Sequence, residues 1–230
     1  MSVSEFSAGQ HRILYDGSVL PAISLEWLQP TFWHLRRAVM AELGGRGQAL
    51  AVQTDVGAAV LRRYLRGGLV ARVVRDRYVF TGYQRSRGFR EWLLLDRLFN
   101  AGLPVPRPLA ASCERHGGLY RAGLLTTLIP GAQPLSSIAD RLPVADWRKL
   151  GATLQAFFAI GLVHADLNAN NILHTATGDW YLIDFDRARI VAAPVDPGPM
   201  LARLFRSFDK LGVVGERAVL QQTVSLSGAR

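Results

Sequence analysis

Cysteine is nearly absent from the sequence. Cys113 is the only one, so no disulfide can form within the chain, and a reducing compartment suits it. Lysine is almost as scarce, with Lys149 and Lys210 alone. The basic charge therefore belongs to arginine, the side chain suited to bidentate contacts with phosphate. No uninterrupted apolar run approaches the ~20 residues that span a bilayer. Met1 to Gln10 lacks the basic-then-apolar pattern of a cleaved leader, and the expectation is a soluble or peripheral protein. Internal repeats and low-complexity tracts are missing too. Acidic charge is thin in one place above all: between Arg62 and Arg90 lie nine arginines and a single acid, Asp76. Nucleic acid, an anionic membrane surface or a phosphorylated substrate would each suit that segment, and so would a plain solvated face.

What is present is enough apolar matter for a large core: 49% of 230 residues are hydrophobic. Residues 1 to 30 carry no clear pattern. Ala49 to Gln53 and Ala58 to Tyr64, across a turn at Asp55-Val56-Gly57, read as a hairpin of small and β-branched residues. Arg85 to Asn100 reads as a helix, with Phe89, Trp92, Leu93 and Phe99 on one stripe and Gly102 and Pro104 ending it. The prolines of Leu103 to Pro108 demand an extended connector. Gly118 to Ile129 reads as two further strands, closed by Pro130-Gly131. A second helix runs from Val144 to Ala159, its apolar face made by Trp147, Leu150, Leu154, Phe157 and Phe158. Short elements follow, with strands at Asn171 to His174 and Trp180 to Asp184. A last helix, Met200 to Lys210, buries Leu201, Leu204, Phe205 and Phe208 and leaves Arg203, Arg206 and Lys210 off that face. The expected class is α+β: a strand-rich region over 1–132 and a helix-led region over 133–230.

The sharpest motif is His164-Ala165-Asp166-Leu167-Asn168-Ala169-Asn170-Asn171-Ile172-Leu173. Nine residues past Leu173 comes Leu182-Ile183-Asp184-Phe185-Asp186. In the kinase signature Asp166 takes the place of the catalytic base, Asn171 that of the metal-binding asparagine, and Asp184 that of the aspartate that binds Mg²⁺. Phosphoryl transfer needs one carboxylate to orient the attacking hydroxyl and separate oxygens to hold Mg²⁺ on the phosphates of ATP. A tight loop followed by a hairpin would bring the three together. The order is that of a protein-kinase-like two-lobed fold, with a strand-rich N-lobe and a shortened helical C-lobe.

The first half should supply phosphate contacts. Gly45 and Gly47, in Leu43-Gly44-Gly45-Arg46-Gly47, form either a loop whose amides approach phosphate or a plain turn. A third glycine is missing, since Leu50 stands there. Ala59-Val60-Leu61-Arg62 aligns with the V-A-I-K strand and puts Arg62 in the lysine's place, with Glu91 as its ion-pair partner. Arg63 is adjacent, and a one-residue slip would exchange the two arginines.

Several runs resemble the bacterial 3-deoxy-D-manno-octulosonic acid (Kdo) kinases of lipopolysaccharide assembly. They are Val60 to Ala71 with its Arg66-Gly67-Gly68-Leu69-Val70, Arg90-Glu91, Gly102 to Pro108, His164 to Leu173, and Ile183 to Arg187. The likeness spans roughly residues 40 to 210. It implies an enzyme that uses ATP and Mg²⁺ to phosphorylate the 4-hydroxyl of Kdo on a lipid A precursor. It also implies a peripheral position on the cytoplasmic face of a Gram-negative inner membrane.

Departures from protein kinases are plain. Ala165 replaces the arginine of H-R-D and Asp186 the glycine of D-F-G. On an extended segment Asp184 and Asp186 would point the same way, leaving Asp186 as a second metal ligand or a partner of Arg187 or Arg189. The stretch from Arg187 to Arg230 is short for a peptide platform, so no protein substrate is expected. Rival readings are a heptose kinase, an antibiotic phosphotransferase and a catalytically silent nucleotide-binding scaffold. The arginines disfavour a cationic antibiotic. Nucleic-acid binding through Tyr64, Tyr78, Phe80 and Tyr83 is also disfavoured, because these residues read as strand core.

Overall fold

Alternation of side chains builds the first half. The computed structural model describes residues 1–43, 49–64, 77–192 and 195–225. Strands β1 (Val3–Ala8), β2 (His11–Asp16), β3 (Val39–Leu43), β4 (Ala49–Thr54), β5 (Gly57–Arg63), β6 (Tyr78–Val79), β7 (Pro108–His116) and β8 (Leu119–Thr127) form one antiparallel sheet. Its order is β1-β2-β7-β8-β5-β4-β3, with β6 added against β8.

Both faces of this sheet are covered. On one, Ile13, Leu50, Val52, Ala59, Leu61, Ala110 and Leu125 meet Leu20, Ile23, Leu28 and Trp33 from the segment after β2. That segment includes a 3₁₀ turn (Leu25–Leu28) and helix α1 (Pro30–Leu35). Each fully buried large side chain of this kind contributes roughly 1.5–3 kcal/mol. Helix α2 (Arg87–Asn100) lies on the other face and buries Phe89, Glu91, Trp92, Leu95 and Leu98. It approaches closely at Gly88, where an added Cβ would stand 3.0 Å from the Gly123 carbonyl oxygen and 3.2 Å from that of Ser112.

The second half is led by helices. After β9 (Gln133–Pro134) and the single turn α3 (Leu135–Ile138), helix α4 (Val144–Ala159) buries Trp147, Leu150, Leu154, Phe157 and Phe158. Strands β10 (Leu162–Val163), β11 (Ile172–His174), β12 (Trp180–Leu182) and β13 (Arg189–Ile190) follow. Helix α5 (Gly198–Leu211) ends at Gly212, whose φ of 66° is the left-handed cap that glycine accepts without strain. Helix α6 (Arg217–Ser225) packs on α4 so tightly that a Cβ on Gly151 would fall 2.7 Å from the Thr223 side chain.

The chain divides into two units. One holds Met1–Asn100 with Pro106–Leu128, the other Ala101–Val105 with Ile129–Arg230. The short piece Ala101–Val105 goes with the second unit because the Pro104 carbonyl accepts the Leu182 amide at 3.1 Å. Helices and an antiparallel sheet together make the class α+β. Among the described residues no helix is long and apolar enough to cross a membrane.

Several expectations need correction. Gly118 to Ile129 holds one long strand, β8 (Leu119–Thr127), and its partner β7 begins at Pro108, where only a connector was expected. The prolines end at Pro108, and from Leu109 to Cys113 the side chains alternate against the sheet's two covers. The stripe of α2 runs through Phe89, Trp92 and Leu95, while Leu93 is exposed. Phe205 of α5 is half-buried rather than core. Among Tyr64, Tyr78, Phe80 and Tyr83, only Tyr64 is buried, since β6 is two residues long and sits at the margin.

Candidate active site

In the second unit, two small antiparallel ladders bring the polar motifs together. β10 pairs with β13, Leu162 opposite Ile190. β11 pairs with β12, Ile172 opposite Leu182. The segments between them, 164–171 and 183–188, are thus fixed at both ends. Ile183 joins them in the middle: its amide donates to the Asn171 carbonyl at 3.0 Å, and its own carbonyl lies 3.1 Å from His164 Nε2.

His164 is the hub of the loop. It is buried, and its Nδ1 accepts the Asp166 amide at 3.3 Å. That assigns the proton to Nε2, which donates to Ile183. Burial pushes the imidazole pKa below its ordinary value, against the opposing pull of the Ile183 carbonyl and the carboxylates of Asp184 and Asp166. The Phe185 ring, itself buried, lies 5.1 Å from the imidazole.

Asp166 is exposed, flanked by the fully buried Leu167. Its backbone carbonyl accepts Asn171 Nδ2 at 2.9 Å and Asn168 Nδ2 at 3.1 Å. With the Asn171 amide nitrogen committed there, its oxygen is the ligating atom it can offer. Asp184 follows directly after Ile183, with a φ of 63°, left-handed for a non-glycine residue. The extended segment expected to aim Asp184 and Asp186 alike is therefore absent. β12 stops at Leu182, and the turn at Asp184 breaks the alternation. Two outer supports were not foreseen from the sequence. Ser136 donates to Asn170 Oδ1 at 2.5 Å, and Ser207 on α5 accepts the Ala169 amide at 3.0 Å.

The chemistry of this donor set suits a hard cation. The Asn171 oxygen and the Asp184 carboxylate are oxygen ligands of the kind Mg²⁺ prefers, with phosphate oxygens and water completing its shell. Among the described residues no group of three or more His, Cys, Asp and Glu could hold a metal by itself.

In the first unit, Arg62 and Tyr64 stand two apart and share the face of the sheet turned to α2. Arg62 donates to Glu91 Oε2, forming an ion pair in which Glu91 is 2% exposed. A buried carboxylate is costly unless paired and hydrogen-bonded. The Tyr64 hydroxyl adds a second donor to the same oxygen at 2.7 Å. Arg63 is turned the other way, its Nη1 reaching Gln29 Oε1 at 3.4 Å, so the register assigns the pair to Arg62. Gly45 and Gly47 lie outside the described residues. The sequence reading of Tyr64 as a strand-core aromatic does not include this role. Its signal was the period of two from Arg62, which places both beside Glu91.

Known proteins resemble this chain. The lipopolysaccharide kinase (Kdo/WaaP) family profile matches residues 30–223. A Vibrio cholerae serotype O1 protein named 3-deoxy-D-manno-octulosonic acid kinase is 35% identical over 210 residues, 90% of this chain and 89% of its own. Stenotrophomonas maltophilia has a protein of the same name that is 42% identical over 212 residues, 90% of this chain and 83% of its own. One from Xanthomonas euvesicatoria pv. vesicatoria, again so named, is 43% identical over 208 residues, covering 88% and 82%. With the profile spanning most of the sequence, the chain belongs to the lipopolysaccharide kinase (Kdo/WaaP) family.

Proposed function

We propose that the protein is an ATP-dependent kinase that phosphorylates the 4-hydroxyl of Kdo on a Kdo–lipid A precursor during lipopolysaccharide core assembly. The observation that carries this reading is the bracketed loop in which Asp166 and Asn171 are tied through Ile183 to Asp184, in a chain whose relatives bear the Kdo kinase name. The fold is read as protein-kinase-like and two-lobed, with 1–132 holding nucleotide and 133–230 carrying the catalytic groups.

Asp166 orients the sugar hydroxyl and takes its proton as the oxygen attacks the γ-phosphorus. The bond from that phosphorus to the bridging oxygen breaks, and ADP departs. Asn171 and Asp184 would hold Mg²⁺, which would supply positive charge to offset that of the phosphates. Arg62, held by Glu91, contacts the phosphates in place of the usual lysine. The acceptor's acyl chains stay in the bilayer, so the enzyme works as a peripheral protein on the cytoplasmic face of a Gram-negative inner membrane.

The test is transfer of labelled γ-phosphate from ATP with Mg²⁺ to lipid A precursors with and without Kdo. Labelling confined to the Kdo-bearing acceptor is expected, with the phosphate on its 4-oxygen. Equal labelling of the Kdo-free precursor would overturn the acceptor assignment.

A further inference from the structure

Two side chains converge on one buried carboxylate oxygen in the first unit. Glu91 Oε2 accepts both from Arg62 and from the Tyr64 hydroxyl, the latter at 2.7 Å. Tyr64 does more than donate. Its ring centroid lies 5.0 Å from the guanidinium carbon of Arg62 and 5.4 Å from that of Arg87. Arg87 is tied in turn to the Tyr78 hydroxyl at 2.7 Å.

We propose that Tyr64 is a positioning residue for the nucleotide phosphates: its hydroxyl fixes the Glu91 carboxylate and its ring face sets the plane of the Arg62 guanidinium. This rests on the reading of Arg62 as a phosphate contact. The physical need arises because arginine stands where a kinase has lysine. An ammonium is a compact point charge, and a carboxylate alone places it well. A guanidinium is a flat fork that binds phosphate only when its plane is aimed. A plane needs more than one anchor, and an aromatic face beneath it supplies one.

The hydroxyl is a dependable donor. Burial first, and then the Glu91 charge, raises the phenol pKa well above its ordinary value, so it keeps its proton. Arg87 on the same ring, held by Tyr78, braces Tyr64 from a second direction along the chain. Glu91 and Tyr64 are 2% and 5% exposed, so water does not compete for these contacts.

The test combines steady-state kinetics with ATP titration in the absence of acceptor. Tyr64→Phe removes the hydroxyl alone. Its ATP Kd and KM should rise about five- to tenfold, the scale of one ordinary hydrogen bond. The acceptor KM should stay near that of wild type, while the thermal midpoint falls modestly because buried Glu91 loses one of its donors. Arg62→Lys keeps the charge but not the plane, and its ATP Kd should rise about tenfold or more. The double variant should lose little beyond Arg62→Lys alone, because the two changes act on one interaction.

An unchanged ATP Kd in folded Tyr64→Phe overturns the proposal. So does a rise shared equally by the ATP and acceptor KM, which marks a merely structural role. Should Tyr64→Phe fail to fold, Arg62→Lys decides alone, and an ATP Kd within about twofold of wild type overturns it. Arg62→Ala separates this from the parent reading. A wild-type ATP Kd there removes the phosphate role of Arg62 and Tyr64 with it, whereas a raised Kd there beside an unchanged one in Tyr64→Phe sinks the tyrosine's role only.

Discussion

A carboxylate that orients a hydroxyl must be exposed yet held on a rigid frame. Asp166 meets both conditions: its side chain is exposed, its backbone amide is fixed by His164, and its carbonyl is bonded by two asparagines. Asp166→Asn should lower kcat by about 10²–10⁴, the range of general acid–base contributions, with the ATP Kd nearly unchanged. Rapid-mix turnover and ATP titration measure the two quantities. Turnover close to wild type would remove Asp166 from the proposed role. Asp166, Asn171 and Asp184 were legible in the sequence because their spacing is local and their identities carry the chemistry. Tyr64 and Ser207 were not, because no motif marks them and their partners stand 27 and 38 residues away. The left-handed turn at Asp184 was equally hidden, since aspartate does not announce a positive φ as glycine does.

Helix α2 depends on one missing side chain. At Gly88 an added Cβ would meet two backbone carbonyl oxygens, and these cannot swing aside as a flexible side chain would. Gly88→Val should therefore destabilise the protein by about 1–3 kcal/mol or more, the scale of overpacking. Urea unfolding reads this directly, and an unchanged midpoint would mean that α2 can shift outward. Because Glu91 rides on α2, the same variant should weaken ATP binding. Elements with a strong internal period were readable: α4 spans the bounds its apolar stripe predicts. β1 was not, because it pairs with β2 alone and its residues alternate only between exposed and half-buried. An edge strand with one neighbour has little need of an apolar pattern.

Across the whole molecule, stability should follow pH in a direction the buried groups dictate. Burial holds His164 below its ordinary pKa of 6.5, so the unfolded chain binds that proton first. Its contribution is complete above about pH 6.5 and is lost as pH falls through the folded value. Asp16 acts further down. Burial raises its carboxyl, but hydrogen bonds from Ser18, Ser2 and Arg107 prevail and hold it below 3.8. Its contribution is present above the unfolded value and is lost as pH falls through the folded one. Urea midpoints should thus decline below about pH 6.5 and again in strong acid. Flat midpoints from pH 7 to 5 would contradict the buried neutral imidazole.

Charge at the same scale predicts a second behaviour. Arg203, Arg206 and Lys210 lie exposed on α5, and each basic residue near an anionic bilayer contributes about 1 kcal/mol. Co-sedimentation with anionic liposomes is expected at low salt and release at high salt, with neutral liposomes bound poorly. Alanine at the three positions should weaken the association, and indifference to salt would exclude it.

The choice of arginine at residue 62 also decides which chemical labels the protein will take. Nucleotide analogues bearing an acyl phosphate acylate kinases on the amine that lies beside the phosphates. On the proposed function that place belongs to the Arg62 guanidinium, which carries no free amine to acylate, and the amines of Lys149 and Lys210 belong to other elements. Such reagents should therefore leave residue 62 unmodified, and mass spectrometry of the digested protein should find no adduct there. Arg62→Lys should acquire one, and excess ATP should prevent it. An ATP-protected adduct on Lys149 or Lys210 in the unaltered protein would place the phosphates beside a different side chain.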